Sequence, residues 1–168
     1  MEKTLRTTGM LIVAGIATVS AASRPQGRSQ PPAPVNACSL LTKQEAAAAL
    51  GEAVGDAKPA TAGRSMQEGV AASSCEYEGK GINRVNLNVW RASPATAAQF
   101  HQMYQMVCAS KTKDGLAGLG DVACWYNEKH EELQVLKGAI FMAIELRRSG
   151  NPTEAIKGVA KAALPRLP

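Results

Sequence analysis

The 168-residue chain is poor in aromatic residues and in histidine, with two tryptophans, three tyrosines, two phenylalanines and two histidines. Its formal charge of +5 is spread along the chain and nowhere forms a dense basic stripe. Nucleic-acid binding draws on clustered Lys and Arg together with aromatic platforms for the bases. An absence of both excludes that class. None of the four cysteines, Cys38, Cys75, Cys108 and Cys124, forms a Cys-x-x-Cys, so neither a redox motif nor a zinc site is expected. The glycine-rich stretch GLAGLGD, residues 115–121, lacks the Gly-Lys-Ser/Thr ending of a phosphate loop and precedes a strand rather than a helix. No helix dipole points at it, and a structural turn with Asp121 as its hydrogen-bonding residue is expected.

Catalytic patterns are lacking too. Ser73, Ser74 and Ser110 sit in no nucleophile motif. His101 follows Phe100 on a helix with no nucleophile placed beside it, and His130, among Glu128, Glu131 and Glu132, reads as a solvated hairpin tip. With all four cysteines oxidised, a Cys–His pair is unavailable. A non-enzyme without metal or cofactor is the expectation.

What is present begins at the N-terminus. Lys3 and Arg6, the apolar stretch Met10–Val19 and the small residues Val19-Ser20-Ala21 have the three-part layout of a secretory signal peptide. The apolar run is about half the length of a membrane-spanning helix. The first cysteine, Cys38, stands well past the cleavage site, so no lipid anchor is expected after cleavage. Removing residues 1–21 takes away Glu2, Lys3 and Arg6 and lowers the charge from +5 to +4. Residues 22–35, rich in Pro, Ser and Gln, read as a flexible lead-in. Residues 36–168 suit one domain with one core. A periplasmic or secreted protein follows.

An even cysteine count behind an export signal points to disulfides. Four cysteines allow three pairings, and an internal echo narrows them. Cys75-Glu76-Tyr77 and Cys124-Trp125-Tyr126 each open a strand after a helix that carries a cysteine at one end. Joining each strand to its own helix gives Cys38–Cys75 and Cys108–Cys124, which stabilise by about 4 and about 3 kcal/mol on the loop-closure model.

Helix signals stand at three places. Thr42-Lys43-Gln44-Glu45 is a capping box, with Leu41 as its staple residue and Gly51 as its left-handed stop. Ser93-Pro94 marks the start of a helix over 94–109 with Phe100, Met103, Tyr104 and Val107 at helical spacing. Asn151-Pro152-Thr153-Glu154 opens a last helix that Pro165 ends. Between them SSCEYEG, NRVNLNVW, DVACWYN, ELQVLK and AIFMAIELRR read as strands, and residues 52–72 as weak strand and loop. The order α-β-β-(β)-α-β-β-β-α with two disulfides predicts an α+β fold, an antiparallel sheet with helices packed on it.

ACSLLTKQEAAAALG, SSCEYEG, GLAGLGDVACWYN and the terminal AKAALPRLP together resemble an exported bacterial domain family of unknown function. Its members begin with a Cys-Ser-Leu-Leu-Thr helix start and later carry Gly-Leu-Gly-Asp before an aromatic-containing strand. Many actinobacterial members are lipoproteins. The pattern is also similar to the extracellular sensor domain of some bacterial serine/threonine kinases, a disulfide-stapled α/β domain thought to bind a ligand in a groove. The resemblance covers about residues 36–165 and implies the same Cys38–Cys75 pairing. The family's lipidation cysteine, and a kinase or membrane segment, have no counterpart here.

Along NRVNLNVW, Val85, Leu87 and Val89 alternate with Arg84, Asn86, Asn88 and Trp90. The second set offers a charge, two amides and an aromatic plate on one side of a half-buried strand. These four are the candidate ligand-binding residues. The functional expectation is an exported, non-enzymatic binding module for a small molecule or an envelope protein. A structural or interaction protein without a small-molecule site is the alternative, and a cryptic hydrolase comes third.

Overall fold

A computed structural model describes residues 30–60 and 68–168. The expected signal peptide and most of the expected lead-in lie outside the described residues.

The capping box at Thr42 forms as its residue types dictate. The Glu45 amide donates to Thr42 Oγ1 at 3.2 Å while the Thr42 amide donates to the Glu45 carboxylate at 2.8 Å. Helix α1 runs Lys43–Leu50 and stops at Gly51, whose φ of 74° is the left-handed cap. Arg148 Nη1 adds a second stop signal by donating to the Ala49 carbonyl at 2.7 Å, 99 residues away in sequence. The region 52–72 holds the short strand β1, Lys58–Ala60. Strand β2, Val70–Glu78, starts earlier than its sequence suggests, because Val70-Ala71-Ala72 has no alternation to announce it. Strand β3 is Arg84–Ala92.

Helix α2 covers Ala97–Ala109, three residues later than expected. Ser93 is buried and its amide donates to the Gly69 carbonyl at 2.8 Å. Its hydroxyl meets Thr96 Oγ1 at 3.0 Å rather than capping the helix. Thr96 takes the N-cap place with no side-chain cap bond. Strands β4, β5 and β6 are Val122–Trp125, Glu132–Lys137 and Ile140–Arg147. Helix α3, Thr153–Ala163, is opened by Asn151 Oδ1, which accepts from the Thr153 amide at 2.8 Å. A 3-10 turn, Leu164–Arg166, carries the terminating Pro165.

The six strands form one sheet in the order β1-β2-β3-β6-β5-β4, every neighbouring pair antiparallel. Two three-stranded meanders therefore meet at β3 and β6. The expected α+β architecture, its element order and both disulfides are present. Cys38–Cys75 has its Cα atoms 5.0 Å apart and Cys108–Cys124 5.5 Å apart.

The strand period sorts residues to two faces. On the first face Tyr77, Val85, Leu87, Val89, Met142, Ile144, Leu146, Leu133, Val135 and Trp125 pack with α1, α3 and the turn at Ala37–Ser39. On the second face a smaller apolar cluster gathers Phe100 from α2 with Ala92, Leu136 and Phe141. Cys38–Cys75 ties the first layer to the sheet and Cys108–Cys124 ties α2 to β4, so each face has one cross-link.

Candidate functional site

Register decides what surrounds the four sequence-chosen residues. Asn86 stands between Glu76 of β2 and Glu145 of β6, and Glu145 is opposite Glu132 of β5. One step along the sheet, Asn88 stands between Ser74 and Ala143, followed by Gln134 and Cys124. A further step gives Ala72, Trp90, Phe141, Leu136 and Val122. All these side chains share the second face because the period is two.

The face is divided. Its apolar end is packed with α2: Tyr104 stacks on Phe141 with ring centroids 3.6 Å apart, and Phe100 meets Tyr104 edge-on at 4.8 Å. Burial pushes the Tyr104 hydroxyl up to about 12. Trp90 lies 5.3 Å from Phe141, half-buried at the border of this cluster. It is as much a packing residue as an open plate. Arg84, Asn86 and Asn88 lie in the polar end, each half-buried.

The polar end is an ordered network with two gaps among the described residues, Arg84 Nε and Gln134 Oε1. Ser74 Oγ donates to Asn86 Oδ1 at 3.0 Å. The Arg84 guanidinium stands 3.9 Å from Glu76 and 3.6 Å from Glu145, and Arg147 Nε bonds Glu145 at 2.6 Å. Glu132 forms no ion pair among the described residues; it accepts from Gln134 Nε2 at 3.0 Å. Burial, helped by the facing Glu145, holds the Glu132 carboxyl above its ordinary range. Gln134 is only 7 % exposed and its Oε1 finds no donor. The amide orientation is fixed by its neighbour, since reversing it would set an oxygen against the carboxylate. A buried acceptor without a donor, Gln134 Oε1, thus stands beside a half-buried carboxylate.

Glu76, Glu132, Gln134 and Glu145 are not among the ligand-binding residues chosen from the sequence. Their own strands carry the signal, since Glu132 and Gln134 alternate with Leu133 and Val135. Only the strand order, which sets β6 and β5 next to β3, brings them to Asn86 and Asn88.

Other sequence-noted groups have structural positions. Asp121 accepts from the Gly138 amide at 2.6 Å, joining the GLAGLGD turn to the β5–β6 hairpin. That loop lines a shallow hollow of about 380 Å³ with Lys113. His130 is not the solvated tip expected of it: its ring stacks on buried Trp125 at 4.4 Å and its Nδ1 lies 3.2 Å from Thr153 Oγ1. The stack forms because a positive φ of 55° folds the segment back over the indole. Between α1 and α3 an apolar groove of about 260 Å³ is lined by Ala48, Ala49, Ala155, Gly158, Val159 and Ala162, with Glu45 at its edge. Among the described residues no cluster of three or more metal-ligating side chains occurs, and no helix is long and apolar enough to cross a membrane. Two disulfides are the mark of a chain that folds in an oxidising compartment.

No protein-family model, curated protein or solved structure matches this chain.

Proposed function

We propose that the protein is an exported, non-enzymatic binding module whose ligand seats on the polar end of the second sheet face, against Arg84, Asn86 and Asn88 with Trp90 at the rim. The observation that carries this reading is Gln134 Oε1, a buried acceptor without a donor beside a carboxylate that burial destabilises. Folded proteins leave few such groups unpaired, and each costs about 1–3 kcal/mol. Local rules are broken most often where a site needs them broken. The missing partner is a hydrogen-bond donor, and a positively charged one answers both groups. A primary ammonium or guanidinium, on a small molecule or on a side chain of an envelope protein, has that chemistry.

Export is supported by the signal-peptide layout, the two disulfides and the resemblance carried by CSLLT and GLGD. The non-enzymatic reading is supported by the four cysteines being cross-linked and by the His130 ring being stacked and hydrogen-bonded. The second reading, a structural or interaction protein, draws on Arg84, whose charge is already answered by Glu76 and Glu145.

A fragment panel of primary amines, guanidines and neutral sugars, followed by amide NMR on the oxidised protein, separates the two. Binding by an amine or guanidine that moves the Asn86, Asn88 and Gln134 side-chain signals is the expected result. A panel in which no compound moves them favours the second reading.

A further inference from the structure

The two orphaned atoms of the polar face have opposite senses. Arg84 Nε is a buried donor without an acceptor among the described residues, and Gln134 Oε1 a buried acceptor without a donor. The Glu76 carboxylate stands 3.9 Å from that Nε and Glu145 3.6 Å from Nη2, both too far for a hydrogen bond. Both side chains lean over one row of the sheet. Arg84 points from β3 towards Glu145 on β6, and Gln134 bonds along β5 to Glu132. Glu145 and Glu132 are paired directly across β6 and β5, with Asn86 beside Glu145 on β3. A donor and an acceptor thus flank a strip two strand spacings wide, roughly 10 Å.

The charges around the strip decide what each partner is. The carboxylates of Glu76, Glu78, Glu132 and Glu145 stand against the cations of Lys58, Arg84 and Arg147. Lys111, near Glu132, donates to the Tyr126 carbonyl. A carboxylate brought to Arg84 Nε would be repelled by Glu76 and Glu145, so the acceptor there is uncharged. At the other end, Oε1 of Glu132 already accepts from Gln134 Nε2, which leaves no two-oxygen edge for a guanidinium fork. A compact ammonium, with three donors on a thin stem, answers Gln134 Oε1 and the second Glu132 oxygen together.

We propose, on the reading of this face as a binding site, that its ligand is a lysine side chain in peptide linkage. The ammonium seats at Gln134 and Glu132, and the lysine's own amide carbonyl accepts from Arg84 Nε. An extended lysine holds its ammonium roughly 7 Å from that carbonyl oxygen, a span that lies within the strip. Asn86, whose Oδ1 accepts from Ser74 Oγ, offers its amide N–H groups to the same peptide.

Titrations of the oxidised protein with Nα-acetyl-lysine N-methylamide and three relatives test this, read by NMR at Gln134 and at the Arg84 Nε–H. Nα-acetyl-norleucine N-methylamide lacks the ammonium, n-butylammonium lacks the carbonyl, and Nα-acetyl-lysine carries a carboxylate in its place. The lysine methylamide should bind about tenfold tighter than each of the others. It alone should shift the Arg84 Nε–H signal. Arg84→Lys keeps the charge and removes the Nε donor, and should bring the methylamide down to the affinity of n-butylammonium. Near-ultraviolet circular dichroism checks the variant's fold; should it not fold, the ranking on the unaltered protein decides. If n-butylammonium or the free acid binds as tightly as the methylamide, the lysine assignment falls and the face remains a site for any ammonium. If none of the four binds, both readings fall.

Discussion

Arg166 and Glu45 meet through two parallel hydrogen bonds of 2.7 Å, Nη1 to Oε2 and Nη2 to Oε1. Arg166 Nη1 also donates to the Leu40 carbonyl at 2.9 Å. The carboxylate that closes the capping box of α1 therefore also anchors the last turn of the chain, 121 residues later. The fold is clasped at its ends by one side chain with two duties.

The clasp has a pH signature. Hydrogen bonds from Arg166, and less so from Thr42, hold the Glu45 carboxyl down at about 2 against an ordinary 4.5. A group with a lowered folded value adds stability above its unfolded value, and loses it as pH falls through the folded one. The contribution is thus full at neutral pH and disappears between about 4.5 and about 2. Both side chains are about a third exposed, so screening reduces its size. Arg166→Ala should lower stability at pH 7. Urea unfolding at pH 7 and pH 3 should show the deficit shrinking in acid; an equal deficit at both would contradict the assignment.

Gly120 is required by its neighbours as well as by its backbone. Its φ is 66°, and a Cβ there would sit 2.5 Å from the Leu136 carbonyl oxygen and 2.8 Å from Val135 Cγ1. Gly118, with a φ of 81°, has open space around it. Gly120→Ala should cost about 2–4 kcal/mol and Gly118→Ala about 1 kcal/mol. Thermal melts of the two variants side by side test the difference. Equal losses would mean that the GLAGLGD turn does not press on β5.

The two cross-links differ in what they hold. Removing Cys38–Cys75 by double alanine substitution should lower stability by about 4 kcal/mol, and removing Cys108–Cys124 by about 3 kcal/mol. Because α2 buries only Phe100 and Cys108 fully, loss of the second bridge should also free α2 locally. Hydrogen exchange should quicken at Ala97–Ala109 while β3 and β6 stay protected. Uniform quickening over the whole chain would show that α2 is not a separable unit.

Much of the fold was legible because local and global signals agree. The capping box at Thr42, the alternation of Val85, Leu87 and Val89, and the cysteine echo each named an element or a link that the structure contains. The start of β2 was hidden because alanine and serine carry no period. The start of α2 was misplaced because Ser93 is drawn into a bond with Gly69. The candidate site was half legible. Alternation put Arg84, Asn86, Asn88 and Trp90 on one side of β3, but which strands flank β3 is a matter of topology. Glu132 and Gln134 became neighbours of that face only through β6. The stacking of Tyr104 on Phe141, which draws Trp90 towards the covered end, is long-range packing that no local pattern announces.

Glu132 should behave as a group kept at the expense of stability. Burial raises its carboxyl in the folded state, and Glu145 adds to the effect. A raised carboxyl means that the native state favours the protonated form, so ionisation at neutral pH destabilises the fold. Glu132→Gln should leave stability at pH 7 unchanged or raise it by up to about 1 kcal/mol, with the gain vanishing in acid. Denaturant melts at pH 7 and pH 4 check this. A clear loss at pH 7 would make Glu132 a structural residue.

The most direct test of the polar face as a binding site is a titration of the oxidised protein with n-butylammonium chloride, followed through the side-chain amide signals of Asn86, Asn88 and Gln134. Sodium chloride at matched ionic strength is the control, and the Glu132→Gln protein is the comparison. The expected result is a saturable shift of those signals that sodium does not produce and the variant abolishes. Signals that stay still, or that move equally with either salt, would contradict the assignment of this face as a site for a positively charged donor.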